Sequence, residues 1–326
     1  MANVNLSDII SDISSRGRIM DADCALVRRA VFEDGKISTM EADRLFALND
    51  LQDKCETWDM LFVEALTHFL VRQTMPHGYV NQANATWLLA RISHDGVVES
   101  RTELELLIYV MKQAHNVTEN LEIFALNQAV ESVLNGRGYM GKNRTLEPGV
   151  ITEDDVKLLR RVLYACASEG GVGITRREAE VLFDLNDTTI NAKNHPSWTK
   201  LFVGGIANHI MMVAAWNEPD AQEALRREKW LEVESKSIIP KMHVPGISNI
   251  FGMFKNFSSE DQPQYMHTNG STIAVAERVT QSEAHWLIER LDRDNILHEN
   301  EKELLRFLKE ESPQIHQSLS QHLKAV

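Results

Sequence analysis

Residues 27–50 read VRRAVFEDGKISTMEADRLFALND, and WDMLFV follows at 58–63. Leu26, Ala30 and Val31 step along one face, Asp34-Gly35 interrupts, and Leu45, Phe46 and Leu48 resume the stripe. Apolar side chains three or four residues apart share a helix face, so the stretch predicts helix, turn, helix. Gly35 can take the left-handed backbone that ends a helix. Ser38-x-x-Glu41 has the spacing of a capping box, in which each residue satisfies an amide of the other. Such a cap stabilises a helix start by about 1 kcal/mol.

The same order of residues returns at 159–187, LRRVLYACASEGGVGITRREAEVLFDLND, followed by WTKLFV at 198–203. Arg28-Arg29 match Arg160-Arg161, Glu41-Ala42 match Glu178-Ala179, and Leu48-Asn49-Asp50 match Leu185-Asn186-Asp187. A second pair, VNQANATWLLARISHDGVV at 80–98 and VTQSEAHWLIERLDRDNIL at 279–297, aligns Trp87 with Trp286, Arg91 with Arg290 and Asp95 with Asp294. Repeats of this kind mark repeated supersecondary units. Gly96 and Asn295 suit the left-handed corner of the later units, and Thr175-x-x-Glu178 and Ser100-x-x-Glu103 repeat the capping spacing.

Alternating β-branched runs and Asn-Gly hairpins between them are missing. The expected fold is therefore all-α, a tandem duplicated helical bundle of helix-turn-helix units, with about two thirds of the chain helical. The expected divisions are an N-terminal segment 1–20, a first copy 21–135, a hinge 136–151 and a second copy 152–326. The hinge rests on the glycine-rich GRGYMGKNRTLEPGV. Where RQTMPHGYV joins the units of the first copy, the second carries an insertion at about 217–277. Within it Lys236, Lys241 and Lys255 form a local positive island, and Ile247, Ile250, Phe251, Phe254 and Phe257 fall at helical spacing. That stripe either docks on the protein's own bundle or meets a partner or anionic membrane surface through 236–257.

The chain has 326 residues with 47 acidic against 34 basic, a net charge of −13, which opposes a broad grip on nucleic acid phosphates. It holds no apolar run long enough to span a bilayer and no secretory leader pattern, so a cytoplasmic location is expected. Cys24, Cys55 and Cys166 are far apart in sequence and form no metal-ligand spacing, which reads as reduced thiols.

An EF-hand reading of the first turn puts Ala30 and Phe32 where calcium needs oxygen ligands, and fails. A looser divalent-cation site from Asp34, Glu41, Asp95, Glu103, Asp294 and Glu301 is the alternative to plain capping roles. Glu64 and His68, four apart, could share a metal but read better as packing. Trp58, Trp87, Trp198 and Trp286 read as core pillars, and Arg91 and Arg290 as ion-pair partners of a neighbouring helix or as an anion site. No GxSxG elbow, P-loop or HExxH stands in the chain, so no catalytic residue is assigned.

The pattern in LLARISHDGVVESRTELELL (88–107) and VRRAVFEDGKISTMEADRLF (27–46) resembles the tellurite-resistance TerB-like family. The resemblance covers about twenty-five residues in each unit. It implies a compact helical fold, metal association through acidic residues, and membrane-proximal stress-response complexes. This chain departs from the pattern in its tandem arrangement and in EGGVG and Asp294-Asn295, which stand where Asp-Gly is expected. The function expected is a non-enzymatic cytoplasmic bacterial interaction or scaffold protein without a cofactor and with a protein partner. The alternatives are a divalent-metal-binding or sensing protein using the acidic turns, and a hydrolase with a site between the two copies.

Overall fold

The amphipathic stripes fold as four helix-turn-helix hairpins whose two helices pack mainly on other elements rather than on each other. In the computed structural model these are α2 (Asp21–Val31) with α3 (Thr39–Asn49), α5 (Gln82–Ile92) with α6 (Arg101–Gln113), α9 (Glu153–Ala165) with α10 (Arg176–Thr188), and α12 (Gln281–Leu291) with α13 (Glu299–Glu311). The structure describes residues 6–32, 36–93, 95–142, 144, 146–165, 174–212, 278–312 and 314–326. The first turn at Asp34-Gly35, Cys166, and the whole 236–257 stripe with Ile247, Ile250, Phe251, Phe254, Lys255 and Phe257 lie outside them. Helix accounts for 71% of the described residues.

Further helices join the hairpins: α1 (Leu6–Arg16), α4 (Glu56–Thr67), which runs into a π turn at His68–Arg72, α7 (Glu119–Asn135), α8 (Gly138–Lys142), α11 (Ser197–Met212) and α14 (Ser320–Lys324). None of the described helices is long and apolar enough to cross a membrane. α4 packs on α2 and α6, and α11 packs in the same way on α9 and α13. α6 and α7 lie against α9, and α7 also meets α10, so one continuous apolar core runs from Leu6 to Leu319. The 1–20 segment supplies Leu6, Ile9 and Ile13 to it.

Aromatic contacts recur at matching positions. Phe46 meets Phe62 edge-on at 5.1 Å and Trp87 at 5.7 Å, while Phe183 meets Phe202 at 5.0 Å and Trp286 at 5.6 Å. Edge-to-face rings at these distances add to plain burial. Trp58, Trp198 and Trp286 are buried, as core pillars should be.

Three of the hairpins are closed by a short parallel pairing between residues before the first helix and after the second. Arg18–Ile19 (β1) pairs with Asp53–Lys54 (β2), Tyr79 with Asn116, and Arg278–Val279 (β3) with Gln314–Ile315 (β4). In the third hairpin the His195 N–H donates to the Ile151 carbonyl and the Ile151 N–H to Asn194 Oδ1. The pairings satisfy backbone groups that helix starts and ends leave free.

Helix starts show where capping chemistry was legible. Glu41 accepts the Ser38 N–H at 2.8 Å and Glu178 accepts that of Thr175 at 2.8 Å, as their spacing predicts. The expected Ser100–Glu103 box does not form, because Glu103 turns instead toward Asn49. Capping carboxylates also stand at Asp23, Asp155 and Glu283, which accept the N–H groups of Met20, Thr152 and Thr280. Gly96 (φ +91°) and Asn295 (φ +59°) hold the left-handed corners expected of them.

Residues 136–151, expected as a hinge, are anchored on both sides. Tyr139 N–H donates to the Val98 carbonyl and Gly149 N–H to that of Val133. Arg144 Nη1 reaches both oxygens of Asp155 at 2.8 Å, with side-chain exposures of 5% and 2%. Asp155 thus caps α9 while neutralising a buried guanidinium.

Arg144→Met should therefore lower the unfolding free energy by about 3–5 kcal/mol, since removing one partner strands a buried charge. Arg16→Met, whose ion pair with Asp23 is more open to water, should cost less. Urea denaturation followed by circular dichroism measures both.

Candidate functional site

α3 and α10 carry Leu-Asn-Asp at or near their C-terminal ends, and the asparagine is buried in both. Asn49 Oδ1 accepts the Trp58 indole N–H at 3.1 Å, and Asn186 Oδ1 accepts that of Trp198 at 3.4 Å. This hydrogen bond ties the end of α3 or α10 to the first turn of α4 or α11. A threonine completes the junction with the last hairpin helix, with the roles exchanged between halves. Thr102 Oγ1 donates to Asp59 Oδ1 at 2.8 Å, and Thr199 Oγ1 donates to Asn300 Oδ1 at 2.7 Å.

The halves then diverge. Asn49 and Trp58 are nine residues apart, whereas Asn186 and Trp198 are twelve apart, so the second connection is three residues longer. In the short connection Lys54 Nζ lies on the Asn49 carbonyl (2.5 Å) and Oδ1 (3.3 Å). Glu103 takes a hydrogen bond from Asn49, so every polar arm of that asparagine is used. In the long connection Asn194 stands in place of Lys54 and turns back to Thr189. Asn300 Nδ2 occupies Asn186 Oδ1 at 2.7 Å. Glu301, the counterpart of Glu103 in its helix, stays on the His298 N–H at 2.8 Å. Asn186 Nδ2 is left buried with no partner among the described residues.

A cleft of about 300 Å³ opens at this place. Ile190, Ala192, Lys193, Asn194 and His195 from the connection line it, with Trp198 and Thr199 of α11 and His298, Glu299 and Asn300 at the start of α13. Two helix N-termini, whose free amides carry partial positive charge, meet there. His195 accepts from the Ser197 hydroxyl (2.7 Å) and its N–H (3.3 Å), which makes it a cap for α11. Glu299 pairs with Lys302 at 2.7 Å and His298 with Asp294 at 2.8 Å. Lys193 is exposed at the rim. The arrangement suits an acceptor-rich or anionic group.

The residues singled out for metal are placed differently from a single site. Glu41 caps α3, Asp95 pairs with Arg137 at 2.8 Å, and Glu103 sits at Asn49. Arg137 holds Asp95 below the usual carboxylate range, and the hydrogen bond from His298 does the same for Asp294. Asp294 and Glu301 are the two that share a neighbourhood, with His298 and Asp187, and burial pushes Glu301 upward there. Among the described residues no three His, Cys, Asp or Glu side chains are grouped to hold an ion. Glu64 is engaged by Arg28 at 3.0 Å and His68 by Gln73 at 3.1 Å, so the two face separate partners. Arg91 pairs with Asp43 at 2.8 Å and Arg290 with Asp184 at 2.6 Å, the ion-pair reading of those arginines.

The sequence aligns the two Leu-Asn-Asp triplets but does not mark the asparagine as a tie, and nothing in it singles out Lys193. The signal was present: Asn-to-Trp spacing differs by three residues between otherwise matching stretches. Comparison with known proteins gives no assignment, since no family model, no curated protein and no solved structure matches this chain.

Burial, with Asp50 adding its charge, pushes the Glu103 carboxyl up to about 7. The folded state therefore keeps a proton that the unfolded chain releases near 4.5. Glu103 favours folding fully below that lower value, and the contribution is lost as pH rises through the upper one. Glu103→Gln should raise the melting temperature more at about pH 8 than at about pH 5. Scanning calorimetry at both values checks the sign.

Proposed function

We propose that the chain is a non-enzymatic interaction module of TerB-like character, acting in the cytoplasm, which receives an acidic group of a protein partner in the cleft between α11 and α13. The observation that carries this reading is the contrast between the two halves at one junction. The first is filled by its own lysine and glutamate, while the second keeps a cleft lined by Lys193, Asn194, His195 and Asn300 at the starts of α11 and α13. A carboxylate supplies an acceptor and a counter-charge for exposed Lys193, and charge-assisted hydrogen bonds of this kind are the stronger ones. The role of the other acidic residues in capping and ion pairs supports a scaffold rather than a reaction centre. A place in stress-response or envelope complexes follows from the family resemblance.

The probe is an acetylated, amidated tetraglutamate peptide, titrated calorimetrically at low salt against the full chain. Binding should appear with the glutamate peptide and not with its glutamine counterpart. Lys193→Glu should weaken it by about tenfold, equivalent to about 1.4 kcal/mol, with the melting temperature unchanged. Equal binding of both peptides, no binding, or an unaltered affinity in Lys193→Glu would contradict the proposal.

A further inference from the structure

The sequence leaves the cysteines far apart; the fold brings two together. Cys24 lies on the buried face of α2, and Cys55 is the N-cap residue of α4. The β1–β2 pairing sets them side by side, since Cys55 N–H donates to the Ile19 carbonyl just before α2 begins. Their sulfurs are 3.4 Å apart and both are free thiols. A disulfide bond measures about 2.05 Å, so the sulfurs need to close by little more than about 1 Å.

The environments of the two thiols differ in a useful way. Cys24 is 6% exposed, whereas Cys55 is half-buried and reaches solvent. Burial pushes the Cys24 thiol up to about 11, so it remains protonated beside its neighbour. The Cys55 sulfur also lies 3.2 Å from the Thr57 hydroxyl, which in turn donates to Asp21. The matching positions after the third and fourth hairpins carry histidines that cap, His195 over Ser197 and His316 over Ser318, whereas the Cys55 side chain makes no cap bond to the backbone. A thiol at such a position is thus chemically exceptional in this fold and is not required by the cap.

We propose that Cys24 and Cys55 are an oxidisable dithiol, converted by a hydroperoxide into an intramolecular disulfide that joins α2 to the start of α4. The accessible Cys55 sulfur, on giving its proton to solvent, attacks the peroxide oxygen; the O–O bond breaks, the departing oxygen takes up a proton from solvent and leaves as an alcohol or water, and Cys55 becomes a sulfenic acid. The Cys24 sulfur then attacks the Cys55 sulfur. An S–S bond forms, the S–O bond breaks, and the Cys24 proton departs with hydroxide as water. Two thiols lose two electrons and the peroxide gains them. The bond fixes one helix start against its neighbour in the first half, far in sequence from the α11–α13 cleft, and is independent of the function proposed for that cleft.

The test uses the full chain carrying Cys166→Ser, treated with hydrogen peroxide, alkylated after unfolding and mapped by peptide mass spectrometry. The expected result is a monomer in which the Cys24 and Cys55 peptides are linked with loss of two hydrogens, reversed by dithiothreitol, and melting at a higher temperature than the reduced form. In Cys24→Ala, a dimedone adduct should mark sulfenic acid on Cys55; in Cys55→Ser, Cys24 should stay alkylatable. The parent chain decides the matter even if a variant fails to fold. Two thiols still alkylatable after peroxide, a sulfinic acid on Cys55 beside an intact Cys24, or disulfide-linked dimers would overturn the proposal.

Discussion

A buried amide accepting a hydrogen bond from a buried indole organises each half of this molecule. An unpaired indole N–H or asparagine oxygen in an apolar interior costs far more than a paired one gains, so the bond admits few alternative packings. With Trp58 or Trp198 fixed by the asparagine, the ring also sets the position of Phe62 or Phe202, and through it Phe46 or Phe183. The start of the long central helix is thereby tied to the end of the hairpin before it. The threonine bond to the last hairpin then places α6 or α13 on the same junction. Packing of α4 and α11 against their neighbours follows from that constraint.

The same junction shows how a modest change in chain length alters what a fold can do. The second connection is three residues longer, and asparagine at 194, bonded to Thr189, lacks the reach and charge of Lys54. Asn300 takes over part of the vacated hydrogen bonding, but its single amide cannot replace both a lysine and a glutamate. The result is an open polar cleft on a rigid frame of helix starts. Sites held by helices in this way are positioned more sharply than sites on long loops.

Much of the fold was legible in the sequence because the signals were local. Stripes such as Leu45, Phe46 and Leu48 report a helix face directly, and Gly96 and Asn295 report corners whose backbone few residues tolerate. Ser38–Glu41 and Thr175–Glu178 are caps made by residues three apart. What the sequence did not reveal depends on distant partners. Glu103 has a capping spacing like theirs, yet Asn49 competes for it across the fold and wins. Cys24 and Cys55 look unrelated until two residues of parallel pairing bring them into contact. The closing pairs themselves are too short to leave an alternating pattern. Of the expected metal residues, Glu41, Asp95 and Glu103 have partners in three separate places, a fact that spacing along the chain cannot convey.

The central claim is most directly tested by a double-mutant cycle on Asn186 and Trp198, with Asn186→Ala, Trp198→Phe and the double variant measured by urea denaturation. Phenylalanine keeps most of the ring packing while removing the indole N–H. The two losses should not add, with a coupling of about 1 kcal/mol, and Asn49 and Trp58 should couple in the same way. Losses that simply add, to within about 0.3 kcal/mol, would show that the indole and the amide are neighbours without being the tie on which the junction depends.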